Sequence, residues 1–390
     1  MNVIYLDNNA TTRPDPRVVD AMLPYLREQY ANPSGLHQFA QQARHAVELA
    51  RHQVAALIHA PPRRIVFTGS TTESVHLAIR GVLAASPDRR HIVTTAVEHE
   101  CVLRLCEQLE REGYVVTRLG VDSLGRLDLA ELEAAITPQT AILSIMHANN
   151  ETGVIFPIEA IASIAQRRNV PLHVDAAQSA GRIPVDVKAV PIDLLSFAAH
   201  KMHGPKGVGA LYVRRGIRLQ PMLLGGHQEH DLRAGTENVP GIIGFGVAAE
   251  LAGRYVAEGA GDVRRLRDRL EAGILERVRF ARRIGDEANR VPNTTCIGFE
   301  SLEAEAILMV LSKHGICASS GSACSSGSLE PSHVLTAMGI DERLMHGAIR
   351  FSLSRYNTAD EIDAVIEAIP SLLAPLRRLS EQTMPTFSAS

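Results

Sequence analysis

Residues 64–85 have the sequence RIVFTGSTTESVHLAIRGVLAA, in which a short apolar run breaks at Thr-Gly-Ser and continues as a helical pattern. The apolar run predicts a buried strand that ends at the turn residues. The residues from Thr71 onward predict a helix. A strand that feeds a helix through a tight turn is the repeating unit of α/β folds.

The same alternation continues through the central two-thirds of the chain. Further strand-like runs are HIVTTAVEH, YVVTRLGV, AILSIMHANN, PLHVDAAQS, DLLSFAAHK and GALYVRR, with helical stretches such as CVLRLCEQLERE between several of them. This pattern predicts an α/β layer with a mostly parallel or mixed sheet, in which ligand groups gather where strands end. After about residue 252 the pattern becomes that of a smaller α+β domain.

Composition narrows the functional class. A chain of 390 residues is longer than a single hydrophobic core usually supports, which favours two domains. The net charge of −3 and the absence of Trp disfavour a nucleic-acid partner, and no apolar run is long enough to span a membrane. The five cysteines include no CxxC pair, which favours a reducing compartment, and the N-terminal residues show no targeting pattern. Together these features predict a cytoplasmic protein.

Lys201 is the first candidate for chemistry, because it follows an apolar strand in FAAHKMHGPKGVGALYV (197–213) and precedes a Gly/Pro-rich turn. Partial burial lowers the pKa of a lysine and frees its amine to form a Schiff base. Taken alone, a lysine in this position is more typical of a solvated surface charge.

Other strand ends carry groups that would suit pyridoxal phosphate (PLP). Asp175 could hold the ring nitrogen protonated, so that the ring acts as an electron sink, or could merely cap a helix. Ser70, Thr71 and Thr72 open a helix, which suits a phosphate dianion but is also ordinary N-capping. His99 could stack on the ring, although a lone histidine near a strand end is often incidental. The order of these residues along one α/β chain favours a PLP site.

Motifs spread from near the first residue to about residue 358 match a known family in order. They are YLDNNATT, NPSGLH, FTGSTTESVHLAI, VEHE, MHANNETGV, HVDAAQSAG, SFAAHKMHGPKGVGALYV, RAGTEN, SSGSACSSGSLEPSHVL and IRFSLSRYNT. On these motifs the chain resembles the NifS/IscS-type cysteine desulfurases, in the class-V aminotransferase-like group of fold-type I PLP enzymes.

The resemblance implies the PLP-dependent transferase fold (fold type I), with a large domain built on a mostly parallel seven-stranded sheet flanked by helices, and a smaller α+β domain. We expect residues 15–252 to form the large PLP-binding domain. Residues 1–14 and 253–380 would form the small domain, which carries the active-site cysteine loop. Residues 381–390 would be a disordered tail.

The resemblance also implies roles at the cofactor ring. Lys201 corresponds to the lysine that binds PLP covalently, and Asp175 corresponds to the partner of the ring nitrogen. Gln178 corresponds to the group that hydrogen-bonds the phenolic oxygen. His99 corresponds to the stacking imidazole and is the candidate acid–base group at the substrate sulfur.

The implied phosphate site comprises the backbone of Thr71, the side chains of Thr72 and His200, and Thr236, which in family dimers reaches the second subunit's phosphate. A homodimer is therefore expected. One position departs from the pattern, because relatives often have Ser or Thr where this chain has Ala198. A lost charged hydrogen bond costs about 1.5–3 kcal/mol, so the departure bears on PLP affinity.

For the substrate, the resemblance assigns Asn150, beside the cofactor, and Arg350 to the carboxylate, with Arg355 as a second, lower-ranked arginine. No metal site is expected. The run HQEH at 227–230 lacks a further acidic or cysteine ligand and is more typical of a polar loop.

Cys324 lies in SSGSACSSGS, and its Gly/Ser-rich surroundings predict a mobile, solvent-reachable loop. On composition alone, a free surface cysteine is an equal interpretation. The resemblance implies that Cys324 is the sulfur nucleophile, in the longer-looped NifS/IscS group. The remaining cysteines suit buried, small hydrophobic roles; they are Cys101, Cys106, Cys296 and Cys317.

The implied activity is removal of sulfur from L-cysteine, giving L-alanine and a persulfide on Cys324. An iron–sulfur scaffold or another sulfur acceptor would then receive the sulfur. Alternative functions are a selenocysteine lyase, a small-amino-acid aminotransferase, or a sulfur-relay or scaffold protein that has kept the fold but lost catalytic activity. Ala198 is the only sequence feature that favours the last of these. The tail LSEQTMPTFSAS does not resemble the docking extension of IscS-type relatives, so the acceptor stays open.

Overall fold

The computed structural model describes residues 3–320 and 331–383. Its strands are β1 (Ile4–Tyr5), β2 (Ile65–Thr68), β3 (His91–Thr95), β4 (Val115–Leu119), β5 (Thr140–Met146), β6 (Leu172–Asp175), β7 (Leu194–Ala198), β8 (Gly209–Val213), β9 (Ala281–Ile284), β10 (Thr294–Phe299), β11 (Ile316–Cys317), β12 (Ser319–Ser320) and β13 (Ala348–Ser352). Its α-helices are α1 (Pro16–Arg27), α2 (Gln38–Leu57), α3 (Thr71–Ala85), α4 (Glu100–Arg111), α5 (Leu129–Ala135), α6 (Ile158–Arg168), α7 (Val239–Ala257), α8 (Gly261–Arg277), α9 (Ala304–Lys313), α10 (His333–Ala337), α11 (Glu342–Met345) and α12 (Ala359–Thr383).

Within the described residues, the central sheet has seven strands in the order β2-β8-β7-β6-β5-β3-β4. All of them run parallel except β8, which is antiparallel to both of its neighbours. The predicted mostly parallel seven-stranded sheet is confirmed. Apolar clusters cover both faces, with Val54 and Phe245 on one side and Ile79 and Leu105 on the other. Burial on both faces explains why these strands are almost continuously apolar.

A second apolar core lies in the C-terminal third of the chain. It packs α8 and α12 against an antiparallel sheet of order β12-β13-β10-β9. Leu6 is fully buried in this core, and β1 pairs with β11. These contacts support the division that we propose, with residues 1–14 and 253–380 in the small domain.

The C-terminal helix is longer than expected. Helix α12 continues to Thr383, so residues 381–383 are helical where the sequence predicted the start of a tail. A helix can extend beyond its apolar pattern while its backbone hydrogen bonds continue, and polar composition does not by itself end it. The rest of the predicted tail lies outside the described residues. In the described part of the chain, no helix combines the length and the hydrophobicity needed to cross a lipid bilayer.

The start of α3 lies close against β8. A Cβ atom at Gly209 would come within 2.6 Å of the carbonyl carbon of Ser70. Glycine therefore allows β8 to pass directly under the turn that opens α3. This turn and the carboxyl ends of β3, β5, β6 and β7 lie at the same edge of the sheet. Side chains that follow these strands can therefore line one cavity.

Candidate active site

The strand ends enclose a cavity of about 200 Å³. It brings together the predicted cofactor residues Thr71, Thr72, His99, Asn150, Asp175, Gln178, His200 and Lys201, and is also lined by Ser70, Cys101, Met146, Ala148 and Ala177. These residues come from five separate segments of the chain, and only the folded sheet makes them neighbours.

The Lys201 amine is held at the edge of this cavity. Lys201 ends a short 3₁₀ turn that follows β7. Its Nζ donates hydrogen bonds to the backbone carbonyls of Asn9, at 2.6 Å, and Ala10, at 2.9 Å. The N-terminal segment therefore orients the amine that the sequence assigns to the cofactor.

Asp175 ends β6 and is 5% exposed. Its Oδ1 accepts a hydrogen bond from the Ala177 amide at 2.9 Å. Burial raises the pKa of this carboxyl. The hydrogen bond from the Ala177 amide and the charges of the nearby His99 and Lys201 oppose that rise. A buried carboxylate is stabilised by a positive partner, which the protonated pyridine nitrogen of PLP would supply.

His99 caps the N-terminus of α4. Its Nδ1 accepts a hydrogen bond from the Cys101 amide at 3.2 Å, so the neutral ring carries its proton on Nε2. Burial is the main cause that lowers the pKa of His99. At neutral pH the imidazole is therefore uncharged and can donate a hydrogen bond from Nε2, which suits stacking on a cofactor ring.

The phosphate end of the cavity lies at the start of α3. Ser70 Oγ accepts from the Glu73 amide, and Glu73 Oε2 accepts from the Gly69 amide at 2.7 Å, so side chains cap this helix. The hydroxyl of Thr71 is buried without a hydrogen-bond partner among the described residues. An unpaired buried hydroxyl at a helix N-terminus fits a phosphate oxygen, and the residues present therefore fit PLP.

The other predicted phosphate ligands differ in position. His200 Nδ1 lies 3.2 Å from Thr11 Oγ1, and burial lowers the pKa of His200 to about 4, so the ring is neutral. Ala198 is buried at the end of β7 and offers no hydroxyl. Thr236 is exposed and does not line the cavity in its own chain.

The two candidate carboxylate-binding arginines are in different places. Arg350, on β13, is 3% exposed and donates to the Asn150 carbonyl at 2.9 Å and to Asp7 at 2.8 Å. Its buried Nε has no partner among the described residues. Arg355 instead donates to Asp15 at 3.1 Å and lines a separate cavity of about 30 Å³. The structure therefore places Arg350 against the Asn150 carbonyl, although neither arginine lines the cofactor cavity itself, and the small cavity beside Arg355 is also lined by Lys201.

Asn9 is a functional residue to which the sequence analysis gave no role. Its carbonyl accepts from Lys201 and from Gln178 Nε2, the latter at 3.1 Å. Its side chain donates to Thr294 Oγ1 at 2.9 Å and accepts from Asn293 at 3.0 Å. The motif YLDNNATT contained a signal, because two successive asparagines after a strand-like run are polar side chains that need hydrogen-bond partners when buried, and Asn8 and Asn9 are 2% and 1% exposed.

The cysteines fall into three groups. Cys106 and Cys296 are fully buried, as expected, and burial raises the pKa of each thiol to about 12. Cys101 and Cys317 are only half-buried, so the expectation of buried roles was wrong for them. Cys101, in the first turn of α4, lines the cavity and also packs against the apolar cluster that contains Val102 and Leu105. Cys324 lies outside the described residues.

Similarity to known proteins identifies the family to which this chain belongs. The family model described as aminotransferase class-V matches residues 4–365. The chain belongs to the aminotransferase class-V family. It is 56% identical over 380 residues to the cysteine desulfurase of Nostoc sp. strain PCC 7120, covering 97% of this chain and 95% of that protein. Its place within the family is therefore among the cysteine desulfurases.

Solved structures agree with this assignment. A NifS-like protein superposes with a TM-score of 0.90 at 39% identity, covering 96% of this chain and 100% of the other. SspA in complex with cysteine superposes with a TM-score of 0.81 at 35% identity, covering 91% and 100%. The predicted fold-type I architecture is confirmed.

The missing hydroxyl at Ala198 generates a first prediction. We expect A198S to bind PLP more tightly, because a serine hydroxyl can donate to the phosphate. The gain should be about tenfold in the dissociation constant of PLP, as expected for one hydrogen bond to a charged group. Equilibrium titration of the cofactor-free protein with PLP measures it, with A199S as a control at the neighbouring position. An unchanged dissociation constant for A198S would mean that other groups already saturate the phosphate.

Glu98 generates a second prediction. It is fully buried next to His99, accepts from Thr95 and from the Met146 amide through Oε1, and has no partner at Oε2 among the described residues. Burial raises the pKa of its carboxyl from 4.5 to about 8, so the folded protein keeps this proton at neutral pH.

Because the folded pKa of Glu98 is raised, its contribution to stability is fully present below about pH 4.5 and is lost as the pH rises toward 8. We expect E98Q, which cannot titrate, to lose less stability over this range than the wild type. Urea unfolding at pH 5.5 and pH 8 measures the difference, which should be on the order of 1–3 kcal/mol. Parallel pH profiles for the two proteins would contradict the raised pKa.

Proposed function

We propose that the protein is a PLP-dependent cysteine desulfurase, which converts L-cysteine to L-alanine and leaves the sulfur as a persulfide on Cys324. One observation carries the proposal. Lys201, the buried carboxylate of Asp175 and the unpaired Thr71 hydroxyl line a single cavity, in a chain that belongs among the cysteine desulfurases.

When bound, PLP supplies an electron sink that makes the substrate Cα proton acidic and weakens the bond between Cβ and sulfur. The chain supplies the rest. Lys201 would give the amine that holds the cofactor and would then remove the substrate Cα proton. Asp175 holds the ring nitrogen in its protonated form. His99, with its proton on Nε2, can donate a hydrogen bond to the substrate sulfur and so position it for attack.

Arg350 and Asn150 would bind the substrate carboxylate. Arg350 Nε is buried and unpaired among the described residues, and Asn150, whose carbonyl accepts from Arg350, lines the cavity. The related SspA, crystallised with cysteine, supports L-cysteine as the amino acid recognised. A selenocysteine lyase would need the same carboxylate site, so this site does not separate the two activities.

The thiolate of Cys324 completes the reaction. It attacks the substrate sulfur, a new sulfur–sulfur bond forms, and the bond between Cβ and sulfur breaks with its electron pair left on the carbon skeleton. Protonation of that skeleton gives L-alanine, so no external oxidant or reductant is needed. The persulfide can then pass to an iron–sulfur scaffold or another acceptor protein.

We also propose a cytoplasmic homodimer. The segment around Thr236 exposes apolar side chains, among them Leu223 at 47% and Leu224 at 85%. Burial of these side chains against a second copy would remove apolar surface from water and would bring Thr236 toward that copy's phosphate site.

The activity is tested by incubating the PLP-loaded protein with L-cysteine and measuring alanine and sulfide. We expect both products from the wild type. C324A should keep the visible absorbance of bound PLP and its response to L-cysteine, yet form no persulfide. K201A should lose the absorbance of covalently bound PLP.

Two outcomes would contradict the proposal. Transfer of the amino group to a keto acid without alanine formation would indicate an aminotransferase. Desulfuration that persists in C324A would assign the chemistry to another thiol, for which C101A, at the cavity wall, is the matched control variant.

The carboxylate site generates a further prediction. We expect R350M to raise KM for L-cysteine on the order of 100-fold, because it removes a charged donor, while the absorbance of bound PLP stays unchanged. R355M changes an arginine outside the cavity and should alter KM by less than about threefold. A large KM effect at Arg355 with none at Arg350 would reverse the assignment.

A further inference from the structure

Arg182 is a buried cation without a carboxylate partner. It is 7% exposed and follows β6 in the turn after Gln178. Within residues 3–320 and 331–382, no carboxylate oxygen forms an ion pair with it, and its hydrogen-bond acceptors are amide and backbone carbonyl oxygens. Other buried arginines of this chain are paired, as Arg51 is with Glu229 at 2.7 Å. Because an unpaired buried charge is costly, such a charge needs a counter-charge from elsewhere.

The hydrogen bonds of Arg182 lead to the cavity. Its Nη1 donates to Gln178 Oε1 and to Asn9 Oδ1, the latter at 2.7 Å. Its Nη2 donates to the carbonyl of Asn8 at 2.9 Å and to that of Lys201 at 3.4 Å. Every acceptor is uncharged, so none of them neutralises the guanidinium.

Arg182 determines which way the Gln178 amide faces. A guanidinium can only donate, so the amide oxygen of Gln178 must face Arg182. The amide nitrogen then lies on the opposite side, where it donates one proton to the Asn9 carbonyl at 3.1 Å. Gln178 lines the cofactor cavity and Arg182 does not, so the second amide proton of Gln178 is the donor available toward the cavity.

We propose that Arg182 is a positioning residue that orients the Gln178 amide toward the phenolic oxygen of PLP and supplies the positive charge that the anionic oxygen needs. The inference rests on the proposed function, because it assigns the missing counter-charge to the cofactor. Burial lowers the pKa of Arg182 to about 9, so the guanidinium is still positive at neutral pH.

The measurable consequence is the pH at which bound PLP changes colour. PLP held by Lys201 gains one negative charge when it loses its proton, and a nearby cation favours that form. Removal of the charge should therefore raise the pH midpoint of the visible absorbance. We expect R182M to raise it by about one pH unit and to weaken PLP binding about tenfold, the size expected for a unit charge at the effective dielectric constant of a protein interior.

Other titratable groups near the site are the same in all variants. The cavity contains Asp175, His99 and His200, and Arg350 and Tyr255 act on Arg182 from neighbouring elements. These groups affect the pH midpoint of the visible absorbance equally in every variant. Their contribution therefore cancels when the midpoints of two variants are subtracted.

R182K keeps the charge and should stay within about 0.3 pH units of the wild type. R267M is the matched control, because Arg267 is equally buried, at 4% exposed, and also donates to backbone carbonyls, at Val291 and Thr294. It should lower the melting temperature without moving the midpoint. A merely structural role for Arg182 predicts this same behaviour for R182M.

A wild-type midpoint in PLP-loaded R182M would overturn the inference. Should R182M not fold, R182Q, which removes the charge but keeps a polar side chain, carries the test: an upward shift supports the proposal, and an unchanged midpoint overturns it. A wild type that forms alanine from L-cysteine while these variants keep its midpoint would refute only the role of Arg182. A wild type that binds no PLP would refute the proposed function and this inference with it.

Discussion

The hydrogen bonds between the Lys201 amine and the carbonyls of Asn9 and Ala10 connect the two cores of the molecule. The segment that carries these carbonyls is anchored in the small domain, where Leu6 is buried and the Asn9 amide donates to Ser352 Oγ at 2.9 Å. Lys201 itself follows a strand of the large sheet. The position of the amine therefore depends on how the two apolar cores pack together, and a change in the N-terminal segment would displace the reacting nitrogen.

Burial sets the charge state of the cavity. It lowers the pKa of His99 and His200, which makes both rings neutral, and it raises the pKa of Asp175. Lys201 and the nearby Arg182 supply positive charge. PLP brings a phosphate dianion, an anionic ring oxygen and a ring nitrogen that binds a proton, and the groups around the cavity complement each of these in turn.

Sequence patterns predicted the strands and the residues at their ends, because a strand that stops at a turn leaves a local signal of composition and periodicity. Thr71, Asp175 and Lys201 were found in this way. The roles of Gln178, Asn150 and Arg350 came from family motifs. The lower-ranked Arg355 lies only five residues from Arg350, yet its side chain donates to Asp15. The direction in which a side chain points after the end of a strand depends on contact partners that are remote in sequence.

The sequence by itself determined the fold class and the family, and it supplied the proposal for the cofactor, since these follow from local patterns and from motifs in family order along the chain. Tertiary structure decided which groups meet. It paired Arg350 with Asp7, placed the Asn9 carbonyl under Lys201 and left Arg182 without a carboxylate partner among the described residues. The physical reason is that each of these contacts joins segments far apart in the chain, and its geometry and desolvation exist only after the two cores have packed together.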